Sequence, residues 1–136
     1  MTATFAQIPI QPGLYNSVAQ RLPIIDALAI SSNMGTPGNH HIMVNSEGYY
    51  RVVANLQITG VIGSQAVLYF EQNTTIINQY FLDVTGNMIV SFETVMNCNH
   101  NDTITLYLTV STNGAVLINP ANSPYYPSAL SAYLID

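Results

Sequence analysis

The side chains best suited to chemistry cluster in the stretch NCNHND, residues 97–102. Cys98 and His100 are two positions apart, a spacing that shares one face of a strand and would allow a thiol–imidazole pair. The sequence has no Gly-x-Ser-x-Gly turn, no glycine-rich phosphate loop and no evident pairing of carboxylates. We therefore predict that the protein is not an enzyme.

Metal-binding residues are few and poorly spaced. The histidines are His40, His41 and His100, and the adjacent two would point to opposite faces of a strand. Cys98 is the single cysteine, which excludes an internal disulfide and a zinc site built on several cysteines. Oxygen ligands that calcium could use fall in one stretch: Asn97, Asn99, Asn101 and Asp102. Because only one of them is a carboxylate, we predict an asparagine-rich turn, with no metal and no cofactor.

The charge of the chain excludes whole classes of partner. Of its 136 residues, 49% are hydrophobic and only 7% are charged, and the net charge is −5. Arg21 and Arg51 are the only Lys or Arg residues, too few for the basic patch that phosphate groups require. We expect no binding to nucleic acid or to anionic membranes. The N-terminal residues lack the pattern of a signal peptide, and no apolar run approaches the roughly 20 residues of a membrane span.

The elements that must position these groups are strands. In GYYRVVANLQITG (48–60) apolar residues alternate with polar ones from Tyr50 to Ile58, with Val53 as the one exception, which is the period of a strand with one buried face. In TITLYLTV (103–110) the residues predicted to face outward are Thr103, Thr105, Tyr107 and Thr109. Further short strands are separated by turn signals. For residues 24–31 we favour a buried strand over the alternative of one short helix. We predict an all-β jelly-roll sandwich.

Residues 1–23 differ from the rest of the chain. Pro9, Pro12 and Pro23 disfavour a helix, so we predict an extended N-terminal arm, followed by a single jelly-roll domain over residues 24–136. Such an arm is suited to lying along a neighbouring protein. Its apolar side chains are the candidates for partner contact: Phe5, Ile8, Ile10, Leu14 and Tyr15.

Tyrosines are the candidates for other contacts. Four lie within predicted strands, some at outward positions: Tyr69, Tyr80, Tyr107 and Tyr133. An outward aromatic side chain on a polar strand suggests a covered surface, so these four are candidates for an oligomer interface. Tyr125 and Tyr126 lie between Pro124 and Pro127 on a stiff loop, where they would contact a protein or sugar partner or cover one end of the sandwich.

Three stretches, in their order along the chain, resemble motifs of the tumour necrosis factor and complement C1q-like jelly rolls. SEGYYRVVANLQITG (46–60) resembles the strand that begins with Gly and an aromatic residue. NHNDTITLYLTV (99–110) resembles the Gly-Asp turn and its following strand, with Asn101 in place of Gly. ALSAYLI (129–135) resembles the closing strand, with Leu130 in place of Phe and Ala132 in place of Gly. The resemblance covers residues 24–136.

The resemblance implies a trimeric head that recognises partners, of the kind found on phage, viral and spore surfaces. Collagen-like stalks are common in such proteins, and this sequence contains no Gly-x-y repeat. We expect a structural protein of a phage or virus particle: a capsid decoration or cement protein that forms homotrimers on the shell, its arm on the major capsid protein. It would be made in the host cytoplasm and lie on the virion surface. The alternative is a receptor-binding head of a fibre, spike or adhesin that recognises a cell-surface glycan or protein; a spore-coat protein is a third setting.

Overall fold

The protein is an antiparallel β-sandwich over the residues that the structure, a computed structural model, describes. Those residues are 4–9, 13–16, 20–21, 30–32, 41–60, 62–110, 114–118 and 128–135, and no helix occurs among them. The strands are β1 (Phe5–Pro9), β2 (Gly13–Asn16), β3 (Gln20–Arg21), β4 (Ile30–Ser32), β5 (Ile42–Met43), β6 (Gly48–Gly60), β7 (Gln65–Gln72), β8 (Thr75–Asp83), β9 (Asn87–Cys98), β10 (Thr103–Val110), β11 (Ala115–Ile118) and β12 (Ala129–Leu134).

Sheet 1 is built around β6. Along one side β6 pairs with β9, and along the other it pairs with β12 and then with β11. Strand β12 pairs in turn with β1 and β1 with β4, while β11 pairs with β2. In the described part of the chain, β9 therefore forms one edge of the sheet.

Sheet 2 is built around β7 and β10, which pair with each other. Strand β8 adds to the free side of β7, and the far side of β10 is shared by β5 and β3. The edge strands β8 and β9 close one side of the sandwich, because Asn78 donates a hydrogen bond to the Thr94 hydroxyl and the Tyr80 hydroxyl donates one to the Glu93 carbonyl.

The core lies between the two sheets and follows the period-two pattern of the strands. The largest side chains buried there come from both sheets: Ile42, Tyr50, Leu56, Leu68, Phe70, Met96, Ile104, Leu106 and Ile118. Each contributes roughly 1.5–3 kcal/mol by leaving water, so the interleaved faces hold the sandwich together. The hydroxyl of Tyr50 is satisfied by donating to the Ser46 carbonyl at 2.6 Å.

The predicted all-β jelly-roll class and the inward residues of β6 and β10 are confirmed. At one outward position the side chain points as predicted but is not exposed. Thr105 lies opposite Glu71 on the outer side of sheet 2, as its position in the alternation requires, but it is only 4% exposed. Strand β10 has a neighbour on each side, so a small side chain at this position is covered.

The three described segments of the predicted arm are extended, and each is hydrogen-bonded into a sheet. Strand β1 pairs with β12, β2 with β11, and β3 with β10. The division of the chain at residue 23 stays a prediction. Of the strand predicted over 24–31, Ile30 and Ser31 lie in β4, and the residues before them lie outside the described part of the chain.

Candidate functional site

Asp102 organises the turn that contains the reactive-looking residues. Its carboxylate accepts hydrogen bonds from the Asn99 N–H at 2.8 Å, the Gln72 side chain at 2.9 Å and the Asn73 side chain at 3.1 Å. Burial raises the pKa of Asp102, but these hydrogen bonds lower it by more, and the pKa lies below the ordinary value of an aspartate. The charge of Asp102 therefore links its own turn to the end of β7 and the residue that follows it.

The thiol and the imidazole of this stretch do not form a pair. Cys98 ends β9 with its side chain fully buried, whereas His100 is exposed and its Nδ1 lies 2.5 Å from the Asn45 carbonyl oxygen. Burial, and then the charge of Asp102, raise the pKa of the Cys98 thiol to about 11. A thiol of that kind stays protonated at neutral pH and is a poor nucleophile.

Within the described residues, no three side chains of His, Cys, Asp or Glu type lie close enough to hold a metal ion together. His41 and His100 are described, and His40 lies outside the described residues. The oxygen atoms of Asp102 are already occupied by protein donors. The polar turn therefore acts as a structural link at one end of the sandwich.

The outer face of sheet 1, here called the sheet 1 face, carries most of the exposed apolar surface. Six of the nine exposed large hydrophobic side chains among the described residues lie on it: Tyr49, Ile89, Val95, Leu117, Tyr133 and Ile135. One row runs across four strands, with Val95, Arg51, Tyr133 and Phe5 as successive partners in the register. Tyr49 and Ile135 lie beside this row, so apolar side chains gather at one end of the face, while Ile89 and Leu117 lie towards the other end, opposite Gln57 and Thr59.

An ion pair and a hollow lie in the middle of the sheet 1 face. Arg51 Nε is 2.5 Å from Glu93 Oε2, and both side chains are about half exposed. Beside them is a hollow of about 300 Å³ whose lining includes Arg51, Val53, Asn55, Ser131 and Tyr133. The small Ser131 is buried at its base, because larger side chains surround it. The face therefore presents to a partner an exposed ion pair with a recess beside it.

The four tyrosines predicted at an interface are not brought together. Tyr133 lies on the sheet 1 face. Tyr69 and Tyr107 lie on the outer side of sheet 2, stacked on each other with ring centroids 5.2 Å apart. Tyr80 packs against Phe92 and Phe70 at the side where β8 and β9 meet. Only Tyr133 therefore belongs to the apolar sheet 1 face.

The residues predicted to contact a partner are described only in part. Phe5 is half-buried and lies beside Tyr133 in the register, at the edge of the sheet 1 face. Ile8 belongs to β1, and Leu14 and Tyr15 belong to β2. Three of the predicted residues lie outside the described part of the chain: Ile10, Tyr125 and Tyr126. Their role in partner contact stays a prediction.

Comparison with solved structures identifies the architecture. The crystal structure of murine APRIL at pH 8.5 superposes with a TM-score of 0.69 over 98% of this chain and 100% of that chain, at 12% sequence identity. The structure of murine APRIL at pH 8.0 gives a TM-score of 0.67 over the same shares, at 9% identity. The fold is the tumour necrosis factor-like jelly roll. No protein-family profile and no curated protein sequence matches the chain, and no described helix is long and apolar enough to cross a bilayer.

The departures of this chain from the tumour necrosis factor-like motifs have a structural explanation at one position. Asn101, which stands where the resemblance has Gly, adopts a φ of 70° and donates its N–H to the Val44 carbonyl at 2.7 Å. Asparagine tolerates this left-handed conformation better than other residues with a side chain. The Gly-Asp turn of the resemblance is thus made here by Asn and Asp.

The aliphatic residues of the sheet 1 face were not singled out by the sequence. Ile89 and Val95 occupy outward positions of β9, where a strand with one face in water would carry polar residues. That mismatch between alternation and polarity is the signal that identifies them. To use this signal, one must know which side of β9 faces the core, and the inward residues Phe92 and Met96 establish that side.

Proposed function

We propose that the protein is a non-enzymatic structural protein that assembles as a homotrimer, with the sheet 1 face covered in the assembly. The observation that carries the proposal is the concentration of exposed apolar side chains on this one face. Contiguous apolar patches of this kind are uncommon on soluble monomers and mark interaction surfaces. A trimer follows from the resemblance, because jelly rolls of this type are typically trimers.

The polar residues of the sheet 1 face fit a covered surface as well. Arg51 and Glu93 already neutralise each other within one protomer, so covering them places no unpaired charge in an interface. The hollow beside them accepts a side chain from a neighbouring subunit, which would add shape complementarity to apolar burial. Association then needs packing and hydrogen bonds only.

For the biological setting, we propose decoration or cementing of a phage or virus shell, with the protein on the virion surface and the major capsid protein as its partner. Support comes from the sequence, a nearly cation-free chain rich in neutral polar residues. The described strands of segment 1–23 pair within the protein's own sheets, so any contact of this segment with a shell would be made by its outward side chains. The copy number of the chain in purified particles of its source tests this setting. A number comparable to that of the shell subunit supports decoration, and absence from particles refutes it.

A receptor-binding head that recognises a cell-surface glycan or protein is the second candidate. It is favoured by Tyr125 and Tyr126, which the sequence places between two prolines. Replacing both tyrosines by Ala should lower binding to host cells and leave thermal stability unchanged. Equal cell binding by the wild type and the double variant would remove this candidate, and a few copies per particle would favour it.

A further inference from the structure

A second hollow lies on the outer side of sheet 2, at the end of the sheet where β7 begins. Its volume is about 270 Å³, and it spans the three strands β8, β7 and β10. Val67 lies between Phe81 of β8 and Thr109 of β10 in the register, so a short side chain forms the floor and a ring forms one wall. Asp83 stands at the rim on the same strand as Phe81.

The wall and the rim are both open to a partner. Phe81 is 80% exposed, the most exposed large hydrophobic side chain among the described residues. Asp83 is exposed, and no hydrogen bond or ion pair from the described residues reaches its carboxylate. An exposed aromatic ring beside an unpaired carboxylate is an arrangement that attracts a cation with a flat or apolar body.

The charges on this side of the molecule also favour binding of a cation. Glu71 is on the same outer side as Asp83, and the only cationic side chain that the structure describes, Arg51, lies on the sheet 1 face and is paired with Glu93. Arg21, the other Arg of the chain, lies in β3 opposite Tyr107, and β10 and β7 separate β3 from the strand that carries Phe81 and Asp83. Strand β7, the described neighbour of β8, supplies no cation to Asp83, which leaves this carboxylate available to a cation of another molecule.

We propose that this hollow binds an arginine side chain of a partner protein. The planar guanidinium stacks on the Phe81 ring and donates two parallel hydrogen bonds to the Asp83 carboxylate, while the methylene groups lie over Val67. Lysine suits the site less well, because its ammonium is compact, strongly hydrated and unable to donate in the same fork. The site does not depend on the proposed trimer, because it lies on sheet 2 and the proposed trimer contact is on the outer face of sheet 1.

The test is an amide NMR titration of the deuterated protein with N-acetyl-arginine-N-methylamide as the probe. The matched probe is the citrulline derivative, which has the same shape without the charge. We expect saturable shifts confined to amides around Val67, Leu82 and Thr109, with the citrulline probe binding several-fold more weakly. Asp83→Asn and Phe81→Leu should each weaken binding about two- to fivefold or more, as loss of one charge or one ring contact predicts.

Glu71→Gln is the control variant, because it removes one negative charge from the same side of the sheet away from the hollow. It should bind the arginine probe as the wild type does, and unchanged amide spectra away from the hollow show that each variant is folded. Four results would overturn the proposal. Two concern the probes: no saturable shifts with the arginine probe, or equal binding of the arginine and citrulline probes. The other two are the same shifts on addition of a methyl glycoside, and self-association of the wild-type protein that Phe81→Leu abolishes. The last two would mean a sugar site or a contact between copies.

Discussion

The outer faces of the two sheets differ in the kind of surface they present, although their inner faces are alike. Both sheets send alternate apolar side chains into one core. Outside, the sheet 1 face carries six exposed large hydrophobic residues around an internally neutralised ion pair. The outer side of sheet 2 carries stacked tyrosines, the exposed Phe81 and carboxylates without described cationic partners.

The difference separates two kinds of interaction. A broad apolar face with balanced charge suits a permanent contact between copies, because it loses water without leaving a charge unpaired. A side with exposed carboxylates and a hollow beside one of them suits recognition of a charged group on another molecule. A sandwich can therefore assign one outer face to assembly and the other to recognition, while the same core supports both.

The largest expected effect is a change in the molecular mass of the assembly, which should follow a substitution on the sheet 1 face but not one on sheet 2. Val95→Glu should reduce a trimer to single chains, because burying the new carboxylate in an interface costs on the order of 3 kcal/mol or more. The single chain stays folded, since Val95 is 54% exposed within it. Ile76→Glu is the control on sheet 2, at a residue with 48% exposure, and should keep the trimer. Light scattering of both variants decides, and the same mass for both would contradict the assignment.

Asp102 tests what stabilises the sandwich that carries both outer faces. Asp102→Ala should cost about 1–3 kcal/mol in the free energy of unfolding, because it leaves three donors without their acceptor. Asp83→Ala, which removes an exposed carboxylate, should change it by less than about 0.5 kcal/mol. Urea unfolding at fixed protein concentration measures both.

The pH dependence of Asp102 has a definite sign. Its folded pKa is lower than its unfolded value of about 3.9, so the stability from the ionised carboxylate is present at neutral pH and is lost as the pH falls through the folded pKa. The difference in unfolding free energy between wild type and Asp102→Ala should therefore shrink as the pH falls below the unfolded pKa and through the folded pKa. A difference that stays constant would show that the hydrogen bonds do not depend on the charge.

The stacked tyrosines sharpen the comparison on the sheet 2 side. A double-mutant cycle of Tyr69→Ala and Tyr107→Ala should give a coupling of about 0.5–1.5 kcal/mol in unfolding free energy, as expected for a stacked aromatic pair. The molecular mass should not change. A fall in mass would instead place these two tyrosines in the oligomer interface, as the sequence predicts.

The smallest effect concerns the ion pair of the sheet 1 face. This pair is best measured in a single-chain variant made at Ile89, which lies opposite Gln57, because Val95→Glu would place a second carboxylate opposite Arg51. In Ile89→Glu, a cycle of Arg51→Gln and Glu93→Gln should give only about 0.2–1 kcal/mol, because the pair is half exposed. In the trimer the same cycle should give more, since the pair is then covered. Equal coupling in both states, measured by urea unfolding, would mean that the pair stays in water in the assembly.

The inward faces of the strands were predictable because alternation is a local property. In β6, Tyr50 to Ile58 are buried at every second position as the sequence predicts. The same pattern fails where two apolar residues are adjacent. Tyr80 and Phe81 illustrate this: the register of β8 with β7 turns Tyr80 towards Phe70 and Phe92 and leaves Phe81 outside.

Contacts across strands were beyond prediction from one sequence. The stacking of Tyr69 on Tyr107 depends on the register of β7 with β10, which residues far apart in the chain determine together. The apolar residues of the sheet 1 face become visible in the sequence only once the inward side of β9 is known. In β9, Ile89 precedes Val90 and Val95 precedes Met96, so apolar residues occur on both faces and the outer ones do not stand out.

The measurement that tests the central claim most directly is the mass of the wild-type protein in solution, by sedimentation equilibrium over a range of concentrations. Assembly through the sheet 1 face predicts a single species with three times the 14.8 kDa mass of one chain. The same experiment on Val95→Glu should give one chain. A wild-type protein that remains a single chain at all concentrations would contradict the account.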